Sequence, residues 1–201
     1  MNYEIILATN NKHKLKEVRE ILTPHHIIVY GLSDLASKLE DVEENGTTYA
    51  ENALIKAKAV QKLTTMPIIS DDSGLEIKAL NNEPGIKSAR YAESLGGHDY
   101  AIKEILKRLE NKKDRSARFV CDIVLLNVDD KPLIFEGIAE GTIAQEKMGE
   151  GGFGYDPIFI SKETGECFAL MKENKNTVSH RAKALNKLLT YLKINGLVPL
   201  K

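Results

Sequence analysis

Short apolar runs and helical periodicities alternate along this chain, and they predict a mixed α/β order. Glu4 to Ala8 (EIILA) reads as a short buried strand, and Lys12 to Leu22 then places Leu15, Val18, Ile21 and Leu22 at helical spacing. A second strand is expected at Ile27 to Leu32, followed by an acidic loop around Asp41 to Gly46. Thr48 to Leu63 reads as a helix with Ala53, Ala57 and Val60 on one face, and Thr48 with Glu51 has capping-box spacing. Pro67 ends that segment, and Ile68-Ile69 leads into a polar turn, Ser70-Asp71-Asp72-Ser73-Gly74, before a further apolar run from Leu75 to Leu80. Asp99 to Leu109 is a third helix, with Ala101, Ile105, Leu106 and Leu109 on one side, and the charged run Glu110 to Arg115 behind it reads as a solvated loop. Arg118 to Val128 and Pro132 to Ala144 read as the two strands of a hairpin turning at Asp129-Asp130. Ser179 to Leu192 closes the pattern as a helix with Ala182, Leu185, Leu188, Leu189 and Leu192 facing inward and Gly196 just past its end. With no internal repeat, linker or composition break, residues 1–201 are expected to form one α/β domain.

Composition narrows the function classes. The chain has 201 residues, 42% hydrophobic and 28% charged, enough to bury a core, which removes disorder and coiled coil. Its 28 Lys and Arg nearly cancel 29 Asp and Glu, giving a net charge of -1 without long runs of one sign, so nucleic acid is not the expected partner. A small charged ligand remains open. Cys121 and Cys167 form no CxxC motif and no disulfide framework, and the apolar stretch near the N-terminus is too short for a signal peptide or a membrane span. A reduced, cytoplasmic protein without membrane contact is expected, in which the sequon Asn45-Gly46-Thr47 meets no glycosyltransferase.

Four stretches could carry chemistry. Thr9-Asn10-Asn11-Lys12-His13-Lys14 lies between the first strand and the first helix, where ligands collect in open α/β folds and where helix N–H groups attract anions. Lysines there oppose the helix dipole, which favours a bound anion, although a capped helix with a solvated basic turn is the plain alternative. The adjacent carboxylates Asp71 and Asp72 are costly after an apolar strand unless they meet a cation or donors, and Mg²⁺ prefers such oxygen ligands. Strand alternation turns one of the pair into a site, and the acidic pair Glu43-Glu44 could complete a metal site. An Asp- and Ser-rich turn and a solvated loop are the ordinary readings of these two stretches. Gly149 to Gly154 spells GxGxxG but runs into Pro157 and a strand-like Ile158-Phe159-Ile160, which rules out a dinucleotide fingerprint. What survives is Phe153 between glycines, open to a planar ligand or packed into the core. Finally, Ser179 as an N-cap would place His180 and Arg181 in a first helical turn, a donor-rich pair suited to carbonyl or phosphate oxygens. No zinc spacing and no GxSxG elbow accompany them.

Taken in order, the blocks resemble a known family. Thr9 to Lys14, Glu43-Glu44 with Glu51-Asn52-Ala53 and Lys56-Ala57, Ser70 to Leu75, Pro84-Gly85-Ile86 with Ser88-Ala89-Arg90-Tyr91, Gly152 to Pro157 and Ser179-His180-Arg181 are arranged as in the inosine triphosphate pyrophosphatase family, over nearly the whole chain. The resemblance implies an elongated mixed sheet flanked by helices, two lobes around a central cleft, and a homodimer. It implies Mg²⁺-dependent hydrolysis of ITP, dITP and XTP to the nucleoside monophosphate and pyrophosphate, clearing deaminated purines. Asp72 would be the catalytic proton acceptor and a metal ligand, with Glu44 and less surely Glu43 beside it. Thr9, Asn10, Asn11, Lys12, His13, Lys14 and Lys56 would hold the triphosphate, and Ser73 would touch the substrate. Phe153, Gly154, Tyr155 and Asp156 would line the base pocket, with Lys175, His180 and Arg181 at the base end. The chain departs from the family at Asn10 and His13, where glycine is common, and at Ala169 and Met171, which replace an acidic residue and a Ser or Thr. A nucleotide-binding module without catalysis and a pyrophosphatase for modified pyrimidine nucleotides are the competing readings. The acidic pair argues against the first, because a pure phosphate binder gains nothing from anions unless a metal intervenes.

Overall fold

A computed structural model describes residues 2–35, 39 and 42–200. Asp41, the first residue of the expected acidic loop, lies outside the described residues. In chain order the elements are β1 (Tyr3–Leu7), α1 (Lys12–Leu22), β2 (Ile27–Tyr30), α2 (Tyr49–Gln61), β3 (Ile68–Ile77), β4 (Glu83–Pro84), α3 (Ser88–Ser94), α4 (His98–Arg108), β5 (Ser116–Leu126), β6 (Leu133–Ile143), β7 (Phe159–Ser161), α5 (Lys175–Val178) and α6 (His180–Ile194). The strands form one mixed sheet in the order β2-β1-β3-β5-β6-β7, with β4 on β3. The α/β expectation holds.

The chain divides into two compact units, each assembled from separated segments. The first comprises residues 1–72, 121–137 and 181–201, and the second residues 73–120 and 138–180. The boundaries fall inside β3, β5 and β6 and between His180 and Arg181.

In the first unit, β1 pairs in parallel with β2 (Tyr3 opposite Ile27) and with β3 (Ile6 opposite Ile68). Helix α1 forms because Leu15, Val18 and Leu22 recur at helical spacing and because Asn11, extended at the N-cap, accepts from the His13 and Lys14 N–H groups at 3.0 and 3.2 Å. Successive strand residues point to opposite faces, which yields two apolar clusters. Ile5, Leu7, Ile69, Cys121 and Ile123 pack with Val18 and Leu22 of α1 and with Leu185, Leu188 and Leu192 of α6. Ile6, Ala8, Ile68, Val124 and Leu126 pack with Ala53, Ala57 and Val60 of α2. The expected capping box of α2 is present: Thr48 Oγ1 accepts from Glu51 N–H at 3.1 Å and Glu51 reaches back to the Thr48 N–H.

In the second unit, Leu75, Ile77, Phe119, Ile143, Phe159 and Phe168 form the core, closed by Ala101, Ile102 and Ile105 of α4. Two expectations need correction here or at its edge. Ser70 to Gly74 is no turn, because β3 runs unbroken from Ile68 to Ile77. The acidic pair therefore sits in extended backbone, with the Asp71 main-chain oxygen taken by Lys56 Nζ at 2.6 Å, which polarity counts alone do not show. Ser88 to Ser94, for which the sequence carried no secondary-structure expectation, is helical, too short to show a period. Arg115 is not simply solvated, since its guanidinium donates to the carbonyls of Leu109, Ile143 and Ala144 at 3.0, 2.9 and 2.6 Å.

Candidate active site

The first unit gathers charge of both signs around β3. Asp71 is 1% exposed, on the α1 and α6 side, while Asp72, half-buried, turns to α2. Asp71 Oδ2 accepts two N–H bonds from Arg181, at 3.0 and 2.9 Å, and Lys14 Nζ lies 3.3 Å from Oδ1. Arg181 also binds Glu17 Oε2 at 2.5 Å. Lys14 and Glu17 stand three apart on α1, so helical geometry delivers a cation and an anion to the same place. On the α2 side, Asn52 Nδ2 donates to Asp72 Oδ2 at 3.4 Å, and Lys56 Nζ reaches the Asp71 main-chain oxygen at 2.6 Å and Glu44 Oε1 at 3.2 Å.

These neighbours treat the two carboxyls in opposite ways. Burial alone would raise Asp71, but Lys14 and Arg181, with Lys56, outweigh it and hold the group well below the ordinary carboxylate range. Burial pushes Asp72 up to about 6, reinforced by Glu44 and Asp71 and opposed by Lys56 and Lys14. Lys14 in turn is lowered, chiefly by its burial. One carboxylate is thus fixed as an anion, and its neighbour can hold or release a proton near neutral pH.

Thr9 is half-buried and its hydroxyl accepts the Asn11 N–H at 3.1 Å, while Asn10, Asn11, Lys12 and His13 are exposed. The Asn11 carboxamide oxygen is taken up in capping α1. Glu44 is half-buried and Glu43 exposed. Among the described residues, no group of three or more His, Cys, Asp or Glu side chains is placed to hold a metal ion.

The second unit collects the remaining candidates except Arg181. Asp156 is buried and pairs with Lys175 at 2.6 Å, and its Oδ2 also accepts the Phe153 N–H at 3.0 Å. Lys175 Nζ lies 4.8 Å from the Phe153 ring centroid, a cation–π distance. Gly152 has φ 69°, and a Cβ there would collide with Asp156, so glycine is required for this turn. Tyr155 is buried and its hydroxyl donates to Ser88 O at 2.7 Å, with His98 edge-on at 5.1 Å. Gly154 adopts φ 63°, and Ser73 directly follows Asp72 on β3. His180 is buried and stacked on Phe119 at 4.6 Å and near-parallel to Phe168 at 6.4 Å. Arg181 is 1% exposed among carboxylates, whereas His180 lies in an aromatic stack.

The geometry also adds residues to which sequence reasoning gave no role. Asp71 appeared only as the partner of Asp72, and Glu17 carried no expectation, although its i, i+3 spacing from Lys14 was visible. Asn52 stood in a matched block without a function.

A parallel β-α-β start that brings lysines, an arginine and two adjacent carboxylates to one strand defines an α/β protein built around a charged, partly desolvated site. The sequence model of the Ham1 family matches residues 5–191, and the chain belongs to that family. A Staphylococcus aureus protein named dITP/XTP pyrophosphatase is 44% identical over 190 residues, covering 94% of this chain and 96% of its own. A Flavobacterium johnsoniae protein of the same name is 42% identical over 190 residues, covering 94% and 97%. A solved structure of a HAM1 protein from Coxiella burnetii superposes with a TM-score of 0.84 at 42% identity, covering 95% of this chain and 98% of the other. The family resemblance drawn from the six sequence blocks is borne out.

Proposed function

We propose that this protein hydrolyses non-standard purine nucleoside triphosphates, namely dITP, ITP and XTP, to the nucleoside monophosphate and pyrophosphate. The observation that carries the reading is the opposite treatment of Asp71 and Asp72, one held ionised and the other raised to about 6 beside Lys14, Lys56 and Glu44. The names of the 41–44% identical relatives support the substrate class. Phosphoanhydride hydrolysis needs charge neutralisation and an oriented water more than covalent chemistry from the protein. Asp72 accepts the proton of that water, a task for which a carboxyl near 6 is well matched. Lys14 and Lys56 attract and position the triphosphate, with Thr9, Asn10, Asn11, Lys12 and His13 presenting polar groups at the start of α1.

The donor set suits Mg²⁺. Asp72 and Glu44, with Glu43 exposed nearby, are hard oxygen ligands, and Mg²⁺ commonly takes one or two carboxylates and fills its remaining positions with water and phosphate. When bound, the ion supplies neutralisation of phosphate charge. In this reading Arg181 and Glu17 keep Asp71 anionic. Ser73 touches the substrate, and Phe153, Gly154, Tyr155 and Asp156, with Lys175 and His180, serve base recognition: Phe153 offers a stacking face and Lys175 a donor toward a 6-oxo group. The family match running through residues 5–191 supports one functional domain over 1–201. Among the described residues no helix is long and apolar enough to cross a membrane. A cytoplasmic nucleotide-handling role and a homodimer as the working form belong to the same proposal.

The test is to incubate purified protein with Mg²⁺ and a panel of nucleoside triphosphates and to measure pyrophosphate against orthophosphate. Pyrophosphate from dITP, ITP and XTP, with little from ATP, is expected. Asp72→Asn should lose about 10²-fold or more in kcat with an unchanged melting temperature. Orthophosphate as the sole product, or near-normal turnover by Asp72→Asn, would overturn the reading.

A further inference from the structure

Asn52 is a buried polar residue, 4% exposed, on a helix whose other buried residues are Ala53, Ala57 and Val60. A carboxamide in such a place is costly unless its polar groups find partners, and both ends of this one do. Its Oδ1 accepts the Gly46 N–H at 2.8 Å, and its Nδ2 donates to Asp72 Oδ2 at 3.4 Å. The Gly46 N–H can only donate and a carboxylate can only accept, so the two partners fix which way the amide faces. Glycine permits the close approach, since a Cβ on Gly46 would stand 2.7 Å from Asn52 Oδ1 and 2.7 Å from Glu51 Cβ.

Lys56 follows Asn52 by four residues, so the two side chains stand one turn apart on the same face of α2. Lys56 Nζ spans from Glu44 Oε1, at 3.2 Å, to the Asp71 main-chain oxygen, at 2.6 Å. Asn52 spans in parallel from Gly46, two residues past Glu44, to the Asp72 side chain. The segment carrying Glu44 is therefore joined to β3 by two cross-links, an ionic one at the Glu44 side chain and a neutral one at the Gly46 backbone. The ionic link uses Lys56 and Glu44, groups that a triphosphate and Mg²⁺ would claim. The Gly46 N–H has no such competitor for Asn52 Oδ1.

We propose that Asn52 is a positioning residue: its carboxamide fastens the Glu44-bearing segment to α2 at Gly46 and faces Asp72 with its other end, so that Glu44 and Asp72 keep their places when ligands claim Lys56 and Glu44. The inference rests on the reading of Asp72 as the catalytic carboxylate and of Glu44 as a metal ligand beside it.

Asn52→Leu keeps similar bulk on a helix but offers neither acceptor nor donor, and Gly46→Ala strikes the same contact from the loop side. With dITP at saturating Mg²⁺, Asn52→Leu should lower kcat about tenfold with KM within about twofold. The Mg²⁺ concentration for half-maximal rate should rise about threefold or more, as expected when a group that orients metal ligands is lost. Amide exchange at Gly46, followed without nucleotide or metal, should quicken. Gly46→Ala should lower kcat in the same direction, and the double variant should lose no more than about twofold beyond Asn52→Leu, because one contact cannot be broken twice. A parent-like kcat in Asn52→Leu, an unchanged Mg²⁺ dependence, unchanged exchange at Gly46 or multiplying losses in the double variant overturns the proposal. Should the leucine variant fail to accumulate as folded protein, Asn52→Ala is held to the same criteria per folded molecule. Asp72→Asn, assayed alongside, separates the two readings. If it keeps turnover, the catalytic assignment and this positioning role fall together. If it is inactive while Asn52→Leu is unimpaired, only the positioning role falls.

Discussion

Asp71 and Asp72 are neighbours in sequence with opposite fates, and the pleat of β3 is the reason. One side chain enters the face shared with α1 and α6, where Lys14 and Arg181 meet it, and the other enters the α2 face, where Asn52 and Lys56 stand. Removing a partner from a buried charge cluster leaves the rest uncompensated, so Asp71→Asn should lose about 3–5 kcal/mol of stability or fail to fold, with Lys14 and Arg181 stranded. Asp72→Asn should lose little stability, because burial already disfavours its anion. Urea denaturation of the two variants at pH 8 checks the contrast, and equal losses would contradict it. The pH signs are also opposite. Asp71, held low, contributes stability that is present above its unfolded value and is lost as pH falls toward its folded one. Asp72, held high, withdraws stability as pH rises from its unfolded value through about 6. The identity of this pair as a candidate was legible from two acids after an apolar strand. Which acid goes to which face was not, since that depends on the register of β3.

At the scale of elements, the segments that reported themselves in sequence are those whose local signals agree with their packing. Helix α1 begins at Lys12 and ends at Leu22, as its spacing predicts, because Asn11 caps it and Val18 and Leu22 bury one stripe. Helix α2 starts where Thr48 and Glu51 say it should. Thr48→Ala, which removes the acceptor for the Glu51 N–H, should cost about 1 kcal/mol and shift the melting temperature by a few degrees. Calorimetry checks this, and no shift would mean that the Glu51 side chain holds the helix start without the hydroxyl. Where local chemistry and tertiary pairing disagree, the sequence misleads. Ser70 to Gly74 has the composition of a turn but lies inside β3, which runs on from Ile68 to Ile77 in a sheet where that strand stands between β1 and β5. His180 and Arg181 likewise read as one cationic pair at a helix start, whereas a ring stack and a carboxylate cluster take one each.

For the whole molecule, the α/β class follows from the alternation of strand and helix signals, but the division into two units does not. Each unit is sewn from separated segments, and nothing in composition changes at Asp72, Val120, Gly137 or His180. The boundaries inside β3, β5 and β6 follow contacts distant in sequence, which periodicity cannot report. The near-zero net charge is equally silent about its arrangement, since the first unit alone buries Asp71, Glu17 and Arg181. The division has a practical consequence through the two free cysteines, Cys121 in the first unit and Cys167 in the second, both buried and both with thiols raised chiefly by burial. Thiolates are the reactive form, so neither sulfur should react with an aromatic disulfide reagent until the fold around it opens. Labelling of the native protein should run about 10²-fold or more slower than of the urea-unfolded chain, and rapid labelling at either position would contradict the burial. With Cys121→Ala or Cys167→Ala leaving a single thiol, the chain carries its own stopwatch for each unit, and no probe has to be attached to learn which of the two breathes first.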